Sequence, residues 1–461
     1  MPAAAFFDLD RTLLLKASGT VFAKHLNTHG LGSSARIPGA SLVVSLYDLF
    51  GETRLNMEVA QRLVRTAQGW PVDSVETAAK TSAEELADQI PAYALQILDE
   101  HRAAGRLLVL ATTSPTVLVG PLAEQLGFDA VLATEWSHDG TSFDGTSVGP
   151  FVWGPKKRDA VVEWAAENNV PLVDSYAYSD SYYDCPMLDV VGHPVAVNPD
   201  ARLAAVAALK AWPIRHFDAP PGVLKFLGRE LQDWIRPFSR PELLPLADYT
   251  FDGLENVPAD GPAILAFNHR SYFDTAAMNL LIAKIGRPCR FLAKKELFDA
   301  PLIGQIAALA GGIEVDRGTG SNEPLESAVK ALSAGEMVAI APQGTIPRGR
   351  AFFDTVLTGR PGAARLAAQS GAPVVPVGLW GTERVWPRNE RLPRVDVARR
   401  PKVAVRVGEP LAVDGADDVA DTAAIMAAIV DQLPDEARLP RDPSPEELAR
   451  TYPPGHSGDD G

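Results

Sequence analysis

The chain has 461 residues, of which 46% are hydrophobic and 22% charged, with a formal net charge of −15 and two cysteines. Such a length suggests two or three domains with sizeable cores. The negative balance argues against a nucleic-acid binder, which needs a basic footprint, and Cys185 and Cys289 lie too far apart for metal-type spacing, so they are expected as reduced thiols.

The N-terminal stretch "MPAAAFFDLDRTLL" has no basic region ahead of an apolar run, so no signal peptide is expected. From there to about residue 212, short apolar runs alternate with helical patterns. "AAAFFDLD", "RLLVLAT", "DAVLATEW", "YAYSD" and "PVAVN" predict buried strands. "VGPLAEQLG", "KKRDAVVEWAAENN" and "ARLAAVAALKA" predict the helices between them. This alternation implies an α/β fold with a parallel sheet and crossover helices. Residues 15–100 break the rhythm, look mostly helical, and are expected to form a cap inserted after the first strand. The Pro-rich "AWPIRHFDAPPG" (211–222) marks a boundary. Residues 213–244 are expected as a linker. Within it, "GVLKFLGRELQDWIRPF" (222–238) places Leu224, Leu227, Leu231, Trp234 and Phe238 on one helical face. That face suits either an interfacial helix or a helix packed on a domain. A second α/β domain is expected over 245–432. The tail 433–461, including "RLPRDPSPEELARTYPPGHSGDDG", has the composition of a disordered segment. No window is apolar for the length of a membrane span, so any membrane contact would be at the surface.

Two stretches concentrate chemistry. The first is "FFDLDRTLL", where Asp8 and Asp10 sit two apart at the end of an apolar strand. There, Asp8 could attack phosphorus as a carboxylate nucleophile, and Asp10 could protonate the leaving oxygen and then activate water. Three later stretches complete a set. "RLLVLATTSP" ends a strand on Thr112, a hydroxyl donor for a phosphoryl oxygen. "GPKKRDAV" opens a helix with Lys156 and Lys157, cations able to neutralise a transferring group. "YSDSYYDCPML" supplies Asp180 and Asp184, hard oxygen ligands suited to Mg²⁺.

These four motifs, in this order, resemble the haloacid dehalogenase superfamily of phosphatases, in the subfamily with a helical cap after the first motif. The resemblance covers about residues 4–212. It implies a Rossmann-like domain with Asp8 as nucleophile, Asp10 as acid and base, Lys157 as the family's lysine and Thr112 as a phosphate ligand. It also implies Mg²⁺ among Asp8, Asp10, Asp180 and Asp184. Phosphoserine phosphatases of this subfamily carry acidic residues just after the first motif and a Ser-Gly-Gly loop. Here those places read "LLLKASG" and "ATTSP", which points to a substrate other than phosphoserine.

The second stretch is "NHRSYFD", with His269 five positions before Asp274. A strand ending in a polar loop would read the same way, but so would a base held by its own carboxylate. It resembles the N-H-x-x-x-x-D motif of the glycerophospholipid acyltransferases, typified by 1-acylglycerol-3-phosphate acyltransferase. Three further blocks extend the resemblance over about 245–410: "FLAKKELFDAPLIGQIAALAGGIEVDRG" (291–318), "IAPQGTIPRGR" (340–350) and "APVVPVGLWGTE" (372–383), which carries Pro376. It implies His269 as general base with Asp274 orienting it. Arg317, with Lys294 or Lys295, would hold the acceptor phosphate. Gln343, Gly344 and Thr345 would correspond to the family's Glu-Gly-Thr. Where the family has glutamate and then arginine, this chain has Gln343 and Ile346, and Arg348 or Arg350 could replace the missing cation. The substrates implied are an acyl thioester, on coenzyme A or acyl carrier protein, and a lysophospholipid or glycerol phosphate acceptor. The arginines of 384–406 could form a patch for anionic lipid or coenzyme A, or a solvated surface.

The whole chain resembles actinobacterial fusions of these two families. It is expected to be a bifunctional enzyme, cytoplasmic and peripheral on the inner face of the plasma membrane. The rival expectation is an active phosphatase placed on membranes by a lipid-binding second domain without chemistry.

Overall fold

A computed structural model describes residues 2–31, 64–220, 223, 225, 226, 228–294, 312–315, 323–396 and 398–456. The chain divides into two compact units, 1–221 and 222–461.

In the first unit β1 (Ala4–Phe7), β2 (Leu107–Pro115), β3 (Ala130–His138), β4 (Phe143–Val148), β5 (Tyr176–Ser179), β6 (His193–Val197) and β7 (Ile214–Arg215) form one sheet of order β4-β3-β2-β1-β5-β6-β7. All neighbours are parallel except β3 and β4. Strand side chains alternate faces, and both faces are buried. Ala5, Phe7, Leu108 and Leu110 enter one apolar layer. Ala4, Phe6, Val109 and Ala111 enter the other, with Val161, Leu203 and Ala207 from the crossover helices. Burial on both sides is why these strands read as continuous apolar runs. The antiparallel β4, rich in Gly, Asp, Ser and Thr, has no such run and escapes a reading of hydrophobicity alone.

The expected cap, residues 15–100, is described in part, since 32–63 lie outside the described residues. Helix Gly19–Thr28 follows the first motif, and helix Val72–Ala87 packs against it and against helix Thr116–Gln125. Helix Ala92–Ala103 buries Ala94, Ile97 and Leu98 in the sheet's own core and leads straight into β2. It therefore belongs to the α/β layer, so the expected cap boundary is too late.

The second unit holds β10 (Asp248–Asp252), β11 (Ala263–Phe267), β12 (Cys289–Lys294), β13 (Ile313–Val315), β14 (Met337–Ile340), β15 (Val374–Trp380) and β16 (Lys402–Val407). Their order is β10-β16-β15-β11-β14-β12-β13, parallel throughout except between β15 and β16. Ala263, Leu265 and Phe267 face one layer and Ile264 and Ala266 the other.

Two expectations are corrected here. The stretch 213–244 is no free linker, and 222–238 is not one helix. Residues 214–215 form β7 in the first sheet. In the second unit, Lys225–Phe226 (β8) and Arg229–Glu230 (β9) pair as a short hairpin, followed only by helix Leu231–Ile235. Gly228, at φ 73°, makes the turn where a continuous helix was expected. Glu230 explains the anchoring. Its carboxylate meets the guanidinium of Arg290 in two bonds of 2.6 and 2.9 Å, and Arg290 also holds Glu336 at 2.5 Å. Trp234, Ile235 and Phe238 remain exposed, Phe238 by 71%.

The tail is the second correction. Up to residue 456 it is ordered, with helices Asp435–Arg438 and Pro445–Ala449. Ser444 and Glu447 close a reciprocal capping box on the second. Buried Thr451 accepts the Gly349 N–H at 2.8 Å. Gly349 stands at φ 58°, and a side chain there would meet the Tyr452 hydroxyl at 2.7 Å. Average composition missed an order created by a few specific contacts.

Arg290 is fully buried between two carboxylates. Arg290→Met should leave both uncompensated and destabilise the second unit by about 3–5 kcal/mol in urea unfolding. A loss under about 1 kcal/mol would show the triad to be dispensable.

Candidate functional site

Both candidate sites lie where parallel strands end, the place at which open α/β sheets gather loop residues. In the first unit, Asp8 follows β1 and Asp180 follows β5, its immediate neighbour. Helix Pro155–Glu167 begins with proline in its first turn and buries Lys157, Val161 and Ala165, one stripe at intervals of four. That spacing carries Lys157 into the site, fully buried. Its ammonium lies 2.8 Å from Asp8 Oδ1 and 2.7 Å from Asp184 Oδ2. Lys156 is off the stripe and pairs with Asp159 at the surface.

Thr12 binds the first motif to β5. Its hydroxyl lies 3.2 Å from Asp8 Oδ2 and accepts the Asp180 N–H at 3.0 Å. Arg11, at φ 62°, sets its guanidinium 3.0 Å from Asp180 Oδ2. Ser179 donates to Asp184 Oδ2 at 2.7 Å. Burial pushes the Asp8 carboxyl up to about 6, against the pull of Lys157, with Asp184 adding to the rise. Asp10 is also raised, chiefly by burial, while the Ser18 N–H at 2.6 Å opposes it. A carboxyl held toward its protonated form is what an acid needs.

The donor set can be tested for Mg²⁺. Asp184 Oδ1 is buried with no hydrogen-bond partner, and Asp8 and Asp180 offer further hard oxygens, so these three fit a magnesium ion or its bound water. Among the described residues no three ligand side chains already form a closed cluster. Asp10 differs from the other three expected ligands: its oxygens take the Ser18 N–H and, at 3.5 Å, the Ser114 hydroxyl. Thr112 is buried within β2, and its hydroxyl accepts the Ser114 N–H at 3.3 Å. Ser114, Arg11 and Ser179 were not singled out from sequence, although all three are within two residues of a motif position.

In the second unit β11 ends at Phe267. Asn268 continues the ladder with its side chain, donating to Leu379 O at 2.9 Å and accepting Leu379 N at 2.7 Å. The chain then turns into helix Asp274–Ile285. Asp274, the helix's first residue, is fully buried. Its Oδ2 faces His269 Nδ1 at 2.6 Å and accepts the N–H groups of Arg270 and Ser271 at 2.6 and 2.8 Å. Its Oδ1 accepts the Thr382 hydroxyl at 2.6 Å. The His269 ring remains 26% exposed while Asp274 is sealed. A ring with Nδ1 on a carboxylate carries its proton there, which leaves the Nε2 lone pair for a substrate.

Gln343 is engaged differently from a substrate ligand. Its Oε1 accepts the His269 backbone N–H at 2.7 Å. Gly344 makes the turn at φ 70°, its N–H bonded to Ala341 O at 2.9 Å. Thr345 is half-buried beside it. Pro376 is corrected: it is buried within β15 in register with Ala266, a sheet position rather than a substrate contact. Arg348 and Arg350 are corrected too. They turn to the tail, Arg348 toward His456 at 3.4 Å and Arg350 to Asp442 at 2.9 Å. The guanidinium beside Ile346 comes instead from Arg388, whose Nη1 donates to the Ile346 carbonyl. Sequence reasoning placed Arg388 only within the arginine-rich stretch 384–406 and not beside Ile346, which lies 42 residues earlier. Lys295 and Arg317 lie outside the described residues, and of Lys294 only the backbone, at the end of β12, is described.

An arginine-rich cavity of about 360 Å³ adjoins this loop, with Arg270 in its wall. The Arg270 guanidinium lies over the Trp380 and Phe352 rings at 4.2 and 4.3 Å and pairs with Glu383 at 3.1 Å.

Fold and sites together define an α/β enzyme with two separate chemistries. The haloacid dehalogenase-like hydrolase family matches residues 5–189, and the acyltransferase family matches residues 248–380. The "Inhibition of morphological differentiation protein" of Streptomyces azureus is 37% identical over 221 residues, 47% of this chain and 79% of its own. A phosphoserine phosphatase of Mycobacterium tuberculosis is 33% identical over 220 residues, 47% of this chain and 71% of its own. The crystal structure of the 1-acyl-sn-glycerophosphate acyltransferase of Thermotoga maritima aligns at 24% identity and a TM-score of 0.34, over 44% of this chain and 78% of its own. The chain belongs to the haloacid dehalogenase-like hydrolases through its first unit and carries an acyltransferase domain in its second. No helix among the described residues is long and apolar enough to cross a membrane.

Proposed function

We propose a bifunctional enzyme of phospholipid metabolism. One activity transfers an acyl group from a thioester to the hydroxyl of lysophosphatidate or a related acceptor. The other hydrolyses a phosphomonoester through an acyl phosphate on Asp8, with Mg²⁺ as cofactor. The observation that carries the reading is the sealed Asp274 carboxylate against Nδ1 of a partly exposed His269.

In acyl transfer, His269 Nε2 takes the proton of the acceptor hydroxyl as its oxygen attacks the thioester carbon. The C–S bond then breaks, and the departing thiolate recovers the proton from the imidazolium. Asp274 fixes the tautomer and stabilises the charged ring. The departure at Gln343 would motivate a scaffold without chemistry. Its contact with the His269 main chain instead supports the catalytic reading.

In hydrolysis, a carboxylate oxygen of Asp8 attacks phosphorus while Asp10 gives its proton to the leaving oxygen. Asp10 then takes a proton from the water that cleaves the acyl phosphate. Lys157 and the Thr112 hydroxyl stabilise the phosphoryl oxygens. Mg²⁺, held by Asp8, Asp180 and Asp184, would supply further charge neutralisation.

An Asp8→Asn variant should lose hydrolysis of p-nitrophenyl phosphate to background while acyl transfer stays near the parental rate. Retained hydrolysis would remove Asp8 as nucleophile. For acyl transfer, lysophosphatidate and acyl-coenzyme A are incubated and the product is followed by mass spectrometry. His269→Ala should cost about 10²–10⁴ in rate. Asp274→Ala should be comparably severe, and the double variant should fall far short of the product of the two losses, because the pair acts as one unit. Parental transfer by His269→Ala would sink the acyltransferase mechanism and return the scaffold reading.

A lysophospholipid acceptor sits at a membrane surface, and the exposed Trp234, Ile235 and Phe238 support contact with one. Co-sedimentation with anionic vesicles should drop in Phe238→Glu. Unchanged co-sedimentation would place the contact elsewhere.

A further inference from the structure

The cavity beside the dyad loop is lined by six arginines and three glutamates in a chain whose net charge is −15. Most of these arginines have carboxylate partners: Arg270 with Glu383, Arg384 with Glu436, Arg441 with Glu447 and Arg450 with Glu446. Arg388 is different. It is only 8% exposed, its Nε is buried without a hydrogen-bond partner, and the partners of its other nitrogens are neutral, the carbonyls of Ile346 and Pro347 and the Tyr272 hydroxyl. Among the described residues no carboxylate pairs with it. A guanidinium taken out of water without a counter-ion costs several kcal/mol. Such a cation, at the wall of a cavity with surplus positive charge, is built to meet an anion. Guanidinium groups suit phosphate in particular, through paired and planar hydrogen bonds.

We propose that this cavity is a subsite for the phosphate groups of a phosphorylated substrate, with Arg388 as the buried cation that receives them. It deepens the acyl-transfer function proposed above, in which coenzyme A and lysophosphatidate both carry phosphate. The volume of about 360 Å³ falls within the range of small-molecule sites. One wall is the C-terminal segment, through Glu436, Arg441, Glu447, Arg450 and Thr451. The opposite contribution is Arg270, whose backbone N–H holds Asp274 while its side chain faces the cavity. A ligand here would touch the residue that follows His269, so anion binding and base positioning meet in one residue. The arginines of 384–406 thus divide: Arg384, Arg388 and Arg394 line a cavity, while Arg400 and Arg406 pair with Asp248 and Asp252 on β10.

The test is calorimetric titration of the full chain with coenzyme A, adenosine 3′,5′-bisphosphate and glycerol 3-phosphate, with acyl transfer measured in parallel. The parent should bind at least one probe, more weakly as salt rises. Arg388→Met should weaken that binding about tenfold or more, as expected for a charge-assisted contact, and Arg388→Lys less. If Arg388→Met fails to fold by circular dichroism, the exposed tail variants Arg450→Met and Arg441→Met decide, each expected to weaken binding severalfold. Loss confined to coenzyme A and the bisphosphate assigns the subsite to the donor's nucleotide. Loss confined to glycerol 3-phosphate assigns it to the acceptor. Binding that depends on these arginines without any acyl transfer supports the subsite and removes the acyl-transfer function. Failure of all three probes to bind the parent, or affinity unchanged across the folded variants, overturns the subsite while leaving the dyad untouched.

Discussion

Asp274 is sealed from water, and a buried carboxylate must find donors close at hand. It finds four: the imidazole of His269, the N–H groups of Arg270 and Ser271, and the hydroxyl of Thr382. Three of them come from the turn between β11 and the helix that Asp274 opens, so satisfying the carboxylate fixes that turn. The fourth comes from just after β15 and ties the turn to the neighbouring strand. Asn268 makes the same tie with both ends of its amide. The shape of the loop and the aim of the imidazole are therefore one constraint, and moving either would leave a buried charge short of partners.

The first unit solves a comparable problem with the opposite sign of group. Lys157 is the buried charge, and Asp8 and Asp184 are its partners. Its helix supplies the lysine at a position set by the interval of four from Val161. The strands supply the carboxylates at their ends. In both units the sheet contributes rigid strand ends, with Asp8, Asp180 and His269 one or two residues beyond them. In the second unit this placement leaves the His269 ring partly exposed while its support, Asp274, is dry.

Much of this was legible because the motifs are local. Asp8, Asp10 and Thr12 share five consecutive positions, as His269 and Asp274 share six, so pattern and geometry coincide. The strand runs were legible for a related reason, since burial on both faces leaves an unbroken apolar signature. What escaped was assembled over distance. Thr382 reaches the dyad loop from more than a hundred residues away, and no spacing rule connects it to Asp274. Gln343 was expected at the place of the family's glutamate, and its carbonyl oxygen serves the His269 main chain, a task that needs an acceptor and not a charge. The tail misled through its prolines and charges. They describe an average, whereas Thr451 and a bare Gly349 are what hold it. The helix expected over 222–238 failed at Gly228, where a positive φ turns the chain into a hairpin.

The register of β10 sets an order of events during synthesis. Among the described residues its single neighbour in the sheet is β16, with Asp248 opposite Lys402. A strand that emerges early from the ribosome must wait through about 150 further residues before its partner exists, a long loop to close and a slow contact to form. Until then its edge stays unpaired beside the half-built sheet. The first unit closes its sheet well before, with β7 at Ile214–Arg215. Newborn chains thus carry a finished hydrolase fold alongside an open-edged partner, and the interval between them is where chaperones would find this protein.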